Sequence, residues 1–117
     1  AQSCGQIQTS LANPTGTSAT TQAALTCFWS AYQHCQPATL AYTHVSIDTS
    51  DTYSFALGRQ GSACALSETH AHANAPQPAR RVGTYTCAQL TRQQDGSLIA
   101  RACGQDGDIT IPAPAGS

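Results

Sequence analysis

The chain has 117 residues, with five positive and six negative side chains and a formal net charge of −1. At about 100–200 residues per domain this is one domain. Its 9% of charged residues exclude a basic nucleic-acid binder, a polyanionic tail and a charge-rich coiled coil, and no apolar run approaches the ~18 residues that span a bilayer.

Gln2 to Ala12 comes first. Cys4, Ile7 and Leu11 recur there at helical spacing and predict a short helix, which the breaker Asn13-Pro14-Thr15-Gly16 ends. Ser18 to His34 holds no Pro or Gly, and Leu25, Phe28, Tyr32 and Cys35 recur on one helical face that Ala24 and Ala31 widen. Pro37 stops this long helix. From Thr39 the period becomes two. Thr39 to Ile47 predicts a strand with Leu40, Tyr42 and His44 on one face, and Asp48-Thr49-Ser50-Asp51 is a turn. Thr52 to Leu57 is a second strand, with Tyr53, Phe55 and Leu57 together. After a turn at Gly58 to Ser62, Ala63 to Ala73 is a third, with Cys64 and Leu66 facing the core. Asn74 to Arg80 contains Pro76 and Pro78 and is a loop. Val82 to Cys87 and Ser97 to Cys103 read as the arms of a hairpin around Gln94-Asp95-Gly96, since Asp-Gly is a strong turn signal. Asp108 to Ile111 is a short edge strand.

Helices first and strands afterwards predict an α+β fold, with N-terminal helical segments and one long helix packed on a four- to five-stranded antiparallel sheet. Residues 1–111 form a single disulfide-stapled domain, and 112–117 are a flexible Pro/Ala tail. The order of elements resembles cystatin-like folds, which implies one helix lying on a curved sheet. The Gln-x-Val-x-Gly signature of cystatin inhibitors is absent, Arg80-Arg81-Val82-Gly83 being the nearest string, and no family follows from the order alone.

Six cysteines in a chain this short read as a disulfide framework made in an oxidising compartment. Ala1-Gln2-Ser3 lacks Met and reads as the start of a mature chain after removal of a signal peptide. The closest pair, Cys27 and Cys35, is too widely spaced for a zinc Cys-x₂₋₄-Cys unit, and no Cys-x-x-Cys is present. A three-residue turn sets Gln93 opposite Ser97 and therefore Cys87 opposite Cys103, the first expected pair. Cys4 and Cys27 are equidistant from the turn near Thr15 if the short helix folds back on the long one. That favours Cys4–Cys27 and leaves Cys35–Cys64.

The most chemical stretch is Glu68-Thr69-His70-Ala71-His72. Period two places Glu68, His70 and His72 on one face, which are the ligand types of a two-histidine, one-carboxylate site, or of a zinc site completed by His34 or His44. A solvated strand end is the simpler reading, and no metal or cofactor is expected. Asp48/Asp51 and Asp106/Asp108 read as turn residues. No nucleophile elbow, phosphate loop or dinucleotide fingerprint occurs. Few charges and many Thr, Ser and Gln side chains suit a secreted or cell-surface, non-catalytic structural or binding domain. Its partner is either another extracellular protein or copies of itself in oligomers or filaments. Ile109 and Ile111, alternating with Asp108 and Thr110 on an edge strand, are the candidates for self-assembly. The alternatives are a small metal-dependent enzyme using Glu68, His70 and His72, and a protease-inhibitor-like module presenting a disulfide-braced loop.

Overall fold

A computed structural model of the chain describes residues 2–10, 18–74 and 76–113. Gln2–Ser10 is a strand, β1, and not the predicted helix. Ile7 and Thr9 are buried between exposed Gln6 and Gln8, so the period that decides is two. The spacing of Cys4 and Ile7 fits a helix equally well over so short a stretch, and the predicted turn at 13–16 lies outside the described residues. One long helix, α1 (Ser18–Gln33), leads to β2 (Ala38–Val45). β1 and β2 are parallel neighbours, with Ile7 beside Tyr42. Parallel strands need a long crossover between them, and α1 is that crossover.

The chain then runs as a meander through β3 (Thr49–Gln60), β4 (Ala63–Asn74) and β5 (Arg80–Cys87), each antiparallel to the one before. The result is a five-stranded mixed sheet in the order β1-β2-β3-β4-β5. Three short strands, β6 (Gln89–Arg92), β7 (Leu98–Arg101) and β8 (Ile109–Ile111), make a second, antiparallel sheet. The molecule is therefore mostly β, with one helix among the described residues. The predicted α+β domain with helical N-terminal segments on a single antiparallel sheet is corrected accordingly.

The hairpin register is the expected one. Gln89 faces Arg101, Arg92 faces Leu98, and the Gln93 amide donates to the Ser97 carbonyl at 2.9 Å. Cys87 and Cys103 are bonded, and so are Cys4 and Cys27, which tie β1 to α1. The difference lies in residues 82–87, which pair with β4 in the large sheet and not with the strand after the turn. The chain changes sheets at Ala88, directly after the half-cystine. The third expected pair, Cys35 and Cys64, is not bonded: the two are neighbours and carry free thiols.

The apolar stripe of α1, with Ala24, Leu25, Phe28 and Ala31, lies on β1 and β2. It shares one core with Leu40, Phe55 and Leu57 from the large sheet and with Leu90, Leu98 and Ile111 from the small one. Ile109 and Ile111 belong to this core, at 8% and 0% exposure. The apolar side of β8 that was expected to meet a neighbour is thus spent inside the fold, because a sheet this small has no other interior to bury it in. Ala113 is buried as well, so the expected tail is packed at its start; residues 114–117 lie outside the described residues. No helix among the described residues is long and apolar enough to cross a membrane.

Truncating Ile111 should leave a cavity. Ile111→Ala is expected to lower stability in urea unfolding by about 2–5 kcal/mol. Val82→Ala, at a position 54% exposed, should stay within about 0.5 kcal/mol of the parent. Equal effects at the two positions would show that β8 is not packed.

Candidate functional site

Antiparallel register turns the period-two strands into cross-strand rows on the inner face of the large sheet. At one end Leu57 and Leu66 are opposed and buried; the next row holds Phe55, Glu68 and Tyr85. Then come Tyr42, Tyr53 and His70, and finally His44, Asp51 and His72. The face therefore grades from apolar to titratable along the strands.

The polar end is faced by a single 3₁₀ turn, Gly104–Asp106. Gly104 takes φ +58°, and a Cβ there would stand 2.6 Å from Cδ1 of Tyr85, so only glycine lets the turn come this close to β5. The approach brings Asp106 to His70. His70 lies between two carboxylates, with Nε2 2.8 Å from Asp51 Oδ1 and Nδ1 3.3 Å from Asp106, and its ring stacks on Tyr53 at 4.5 Å. Nδ1 of His72 also reaches Asp51 Oδ1, at 2.7 Å, and Nε2 faces Asn74 Oδ1 at 3.2 Å. On the neighbouring strands Thr9 Oγ1 meets His44 Nδ1 at 2.9 Å and the Tyr42 hydroxyl at 3.3 Å.

Glu68 is 0% exposed. As a carboxylate it finds no hydrogen-bond donor for either oxygen, and Oδ2 of the adjoining Asp106 is buried without one too. Burial first, and then the hydrogen bond and charge of Asp106, push the Glu68 carboxyl up to about 7. A proton held on Glu68 and donated toward Asp106 reconciles the two, where a pair of carboxylates would only repel. Burial would also raise Asp51, but the hydrogen bonds from His70 and His72 and their charges outweigh it, and its carboxyl titrates below the usual 3.8. His72 is raised above 6.5, first by its bond to Asp51 and then by Asn74. Burial, followed by the charges of Asp51, Asp106 and Glu68, lifts the Tyr53 phenol to about 12. The phenol thus senses a negative field.

Tyr42, His44, Asp51 and Tyr53 on one side and Asp106, Asp108, Ile109 and Thr110 on the other line a cleft of about 260 Å³. This is a little below the ~300 Å³ at which small-molecule sites begin, enough for one side chain or head group. The predicted ligand set does not converge there. Glu68, His70 and His72 share a face, but both histidines turn to Asp51 and Glu68 turns to Asp106. His34, at the end of α1, contacts the Ser30 carbonyl, and His44 contacts Thr9. Among the described residues no group of three or more His, Cys, Asp or Glu is arranged to hold a metal ion. Thr9, the hydroxyl against an imidazole, is 1% exposed, while both ring nitrogens of His70 and of His72 are already engaged. What the arrangement does offer is negative charge, phenol surface and a stored proton.

The site sets the direction of the pH dependence. A carboxyl raised by folding keeps its proton from about pH 4.5 to about 7 while the unfolded chain loses it, so stability falls as pH rises through that window. The raised His72 acts in the same sense, its contribution present below 6.5 and lost as pH rises through its folded value. Asp51, being lowered, contributes above 3.8 and ceases to as pH falls through its folded value. The domain should therefore be most stable in mild acid. Glu68→Gln should gain on the parent by on the order of 2–3 kcal/mol between about pH 5 and about pH 7.5, read from thermal unfolding. Parallel curves would mean that Glu68 does not hold the proton.

No known family model, curated protein or solved structure matches the chain.

Proposed function

We propose that the chain is a non-catalytic binding domain working outside the cytoplasm, secreted or at a cell surface, and that the cleft between β2/β3 and β8 receives a cationic group of its partner. The observation that carries this reading is the cleft lining, which combines three carboxylates and two phenols with no Lys or Arg; Arg101, outside the lining, pairs with Asp108 at 3.3 Å, so Asp51 and Asp106 carry the attraction. Carboxylates attract a cation directly, and a site partly closed to water strengthens that attraction. The two disulfides support an oxidising compartment. The engaged imidazoles weigh against acid–base work, and an enzyme built on Glu68, His70 and His72 is not supported by their placement.

Two other readings lose support. Self-assembly through Ile109 and Ile111 would need side chains that are buried. The edge strand β5 carries Arg80 and Arg81 side by side, and like charges discourage pairing between copies. An inhibitory loop placed at the turn Gln93–Ser97 would have only Gln93, Gln94 and Asp95 to present. Gly96 and Ser97 are buried there, and a Cβ on Gly96 would stand 3.5 Å from Gln22 Nε2 of α1.

The test uses amide NMR on the whole chain with blocked arginine and blocked glutamate as probes. Arginine should shift the resonances of residues 42–53 and 106–110 saturably, with Kd on the order of 1 mM for so small a probe. Glutamate should not, and Asp106→Asn should weaken the arginine response severalfold. Resonances that ignore both probes, or that respond alike to both, would overturn the assignment of the cleft.

A further inference from the structure

The end of α1 holds a feature that packing does not explain. The Gln36 amide donates to the Ala31 carbonyl at 2.9 Å and the Cys35 amide to the Tyr32 carbonyl at 3.2 Å. This is the bonding of a helix closed by a left-handed residue, a position usually given to glycine. Here it is Cys35, at φ +50°. A side chain kept in that conformation calls for a reason outside the helix.

The reason lies across the interface with the β3–β4 hairpin. Cys35 Sγ is 3.9 Å from the Gly58 carbonyl oxygen, and Cys64 Sγ is 4.0 Å from that of Tyr32. Arg59, the cross-strand neighbour of Cys64, donates from Nε to the Cys35 carbonyl at 3.2 Å. The Cys35 thiol thus rests on the backbone of β3, the other arm of the hairpin that carries Cys64, and the Cys64 thiol on the backbone of α1. Both are free, while the remaining four described cysteines are paired.

We propose that Cys35 and Cys64 are a redox couple that closes into a third disulfide by exchange with a disulfide oxidant of the glutathione class, stapling the C-terminal end of α1 to the β3–β4 hairpin. Cys64 is the exposed partner and meets the oxidant first. Its thiolate attacks one sulfur of the oxidant, whose other half leaves as a thiol. The Cys35 thiolate then attacks Cys64 Sγ and expels the second half. Two protein thiols and one oxidant disulfide become one protein disulfide and two small thiols, with two electrons passing to the oxidant. Burial, with the hydrogen bond and charge of the Cys35 sulfur, pushes the Cys64 thiol up to about 11. That suits a slowly closing staple and argues against a fast thiol catalyst. Cys87 and Cys103 are 5% and 0% exposed, so the new bond is the more accessible to reductant.

The test equilibrates the full chain in glutathione buffers of graded ratio, traps thiols by alkylation and maps the peptides. A Cys35–Cys64 cross-linked peptide, lighter by two hydrogen atoms, is expected, and it should reopen under milder reduction than Cys87–Cys103. Cys35→Gly separates the staple from a packing role, since glycine accepts φ +50° without strain. Reduced, the variant should melt at or above the parent temperature; oxidised, the parent should melt about 5 °C or more above the variant. Cys64→Ser should likewise lack the gain on oxidation. Persistent glutathione on Cys64 of the parent, dimers linked through Cys35, or the same order of melting in both redox states would each overturn the proposal.

Discussion

The bond between Cys87 and Cys103 holds the corner at which the chain leaves the large sheet for the small one. Its first half ends β5, and its second half opens the 3₁₀ turn that carries Asp106. The Cys103 amide, donating to the Gly107 carbonyl at 2.8 Å, closes that turn on itself. Three consequences follow from this one cross-link. β6 starts at once in the second sheet, β8 pairs with β7 there and turns its isoleucines into the core, and Asp106 reaches His70. Without the corner Glu68 would have no carboxyl beside it, and the cleft would lack its second wall.

Such a site is costly. A carboxyl at Glu68 sits in one row with Phe55 and Tyr85, where an apolar side chain would pack without any loss of hydration. The neighbouring carboxylate of Asp106 makes the environment worse for a second negative charge, and the proton on Glu68 relieves it. Buried groups of this kind cluster at working sites more than elsewhere, because geometry that shifts an ionisation is seldom retained for stability alone. Were the cleft to take the cationic group proposed for it, the negative charge that holds the proton on Glu68 would couple that binding to ionisation of the pair. A bound cation stabilises the ionised form of a carboxyl beside it and thereby releases its proton.

At the opposite end of the sheet the mechanics differ. α1 connects two parallel strands, and a crossover of this kind must be held at both ends to keep its register over the sheet. Cys27 anchors its middle to β1, while its C-terminal end is held to the β3–β4 hairpin by non-covalent contacts, the packing of Cys35 and Cys64 and the hydrogen bond from Arg59. A bond at that end would span more sequence than the separations of 23 and 16 closed by the two existing bridges. It would therefore restrict the unfolded chain more than either.

What was legible in the residues was local. Freedom from Pro and Gly marked α1, alternation marked the inner faces of β2, β3 and β4, and Asp95-Gly96 set the register that brings Cys87 to Cys103. Period two placed Glu68, His70 and His72 on one face. Turns and alternation are nearest-neighbour effects, decided by backbone sterics and by which side of a few residues is apolar. Asp51 read as a turn residue because the strand signal begins at Thr52, yet pairing with β4 extends β3 back to Thr49. Asp106 lies far along the chain from its partner His70, and no local signal joins them. The identity of Gln2–Ser10 was undecidable for the same reason, since a few apolar positions fit a helix or a strand until β2 supplies hydrogen bonds on one edge. The sequence by itself determined the Cys87–Cys103 pair, the long helix, the meander and the face on which the titratable groups stand. Tertiary structure decided which strands are parallel, that β8 is core, and that Asp51 and Asp106 complete the site. Those choices depend on pairing and burial between distant segments, whose free energy exists only once the chain has closed on itself.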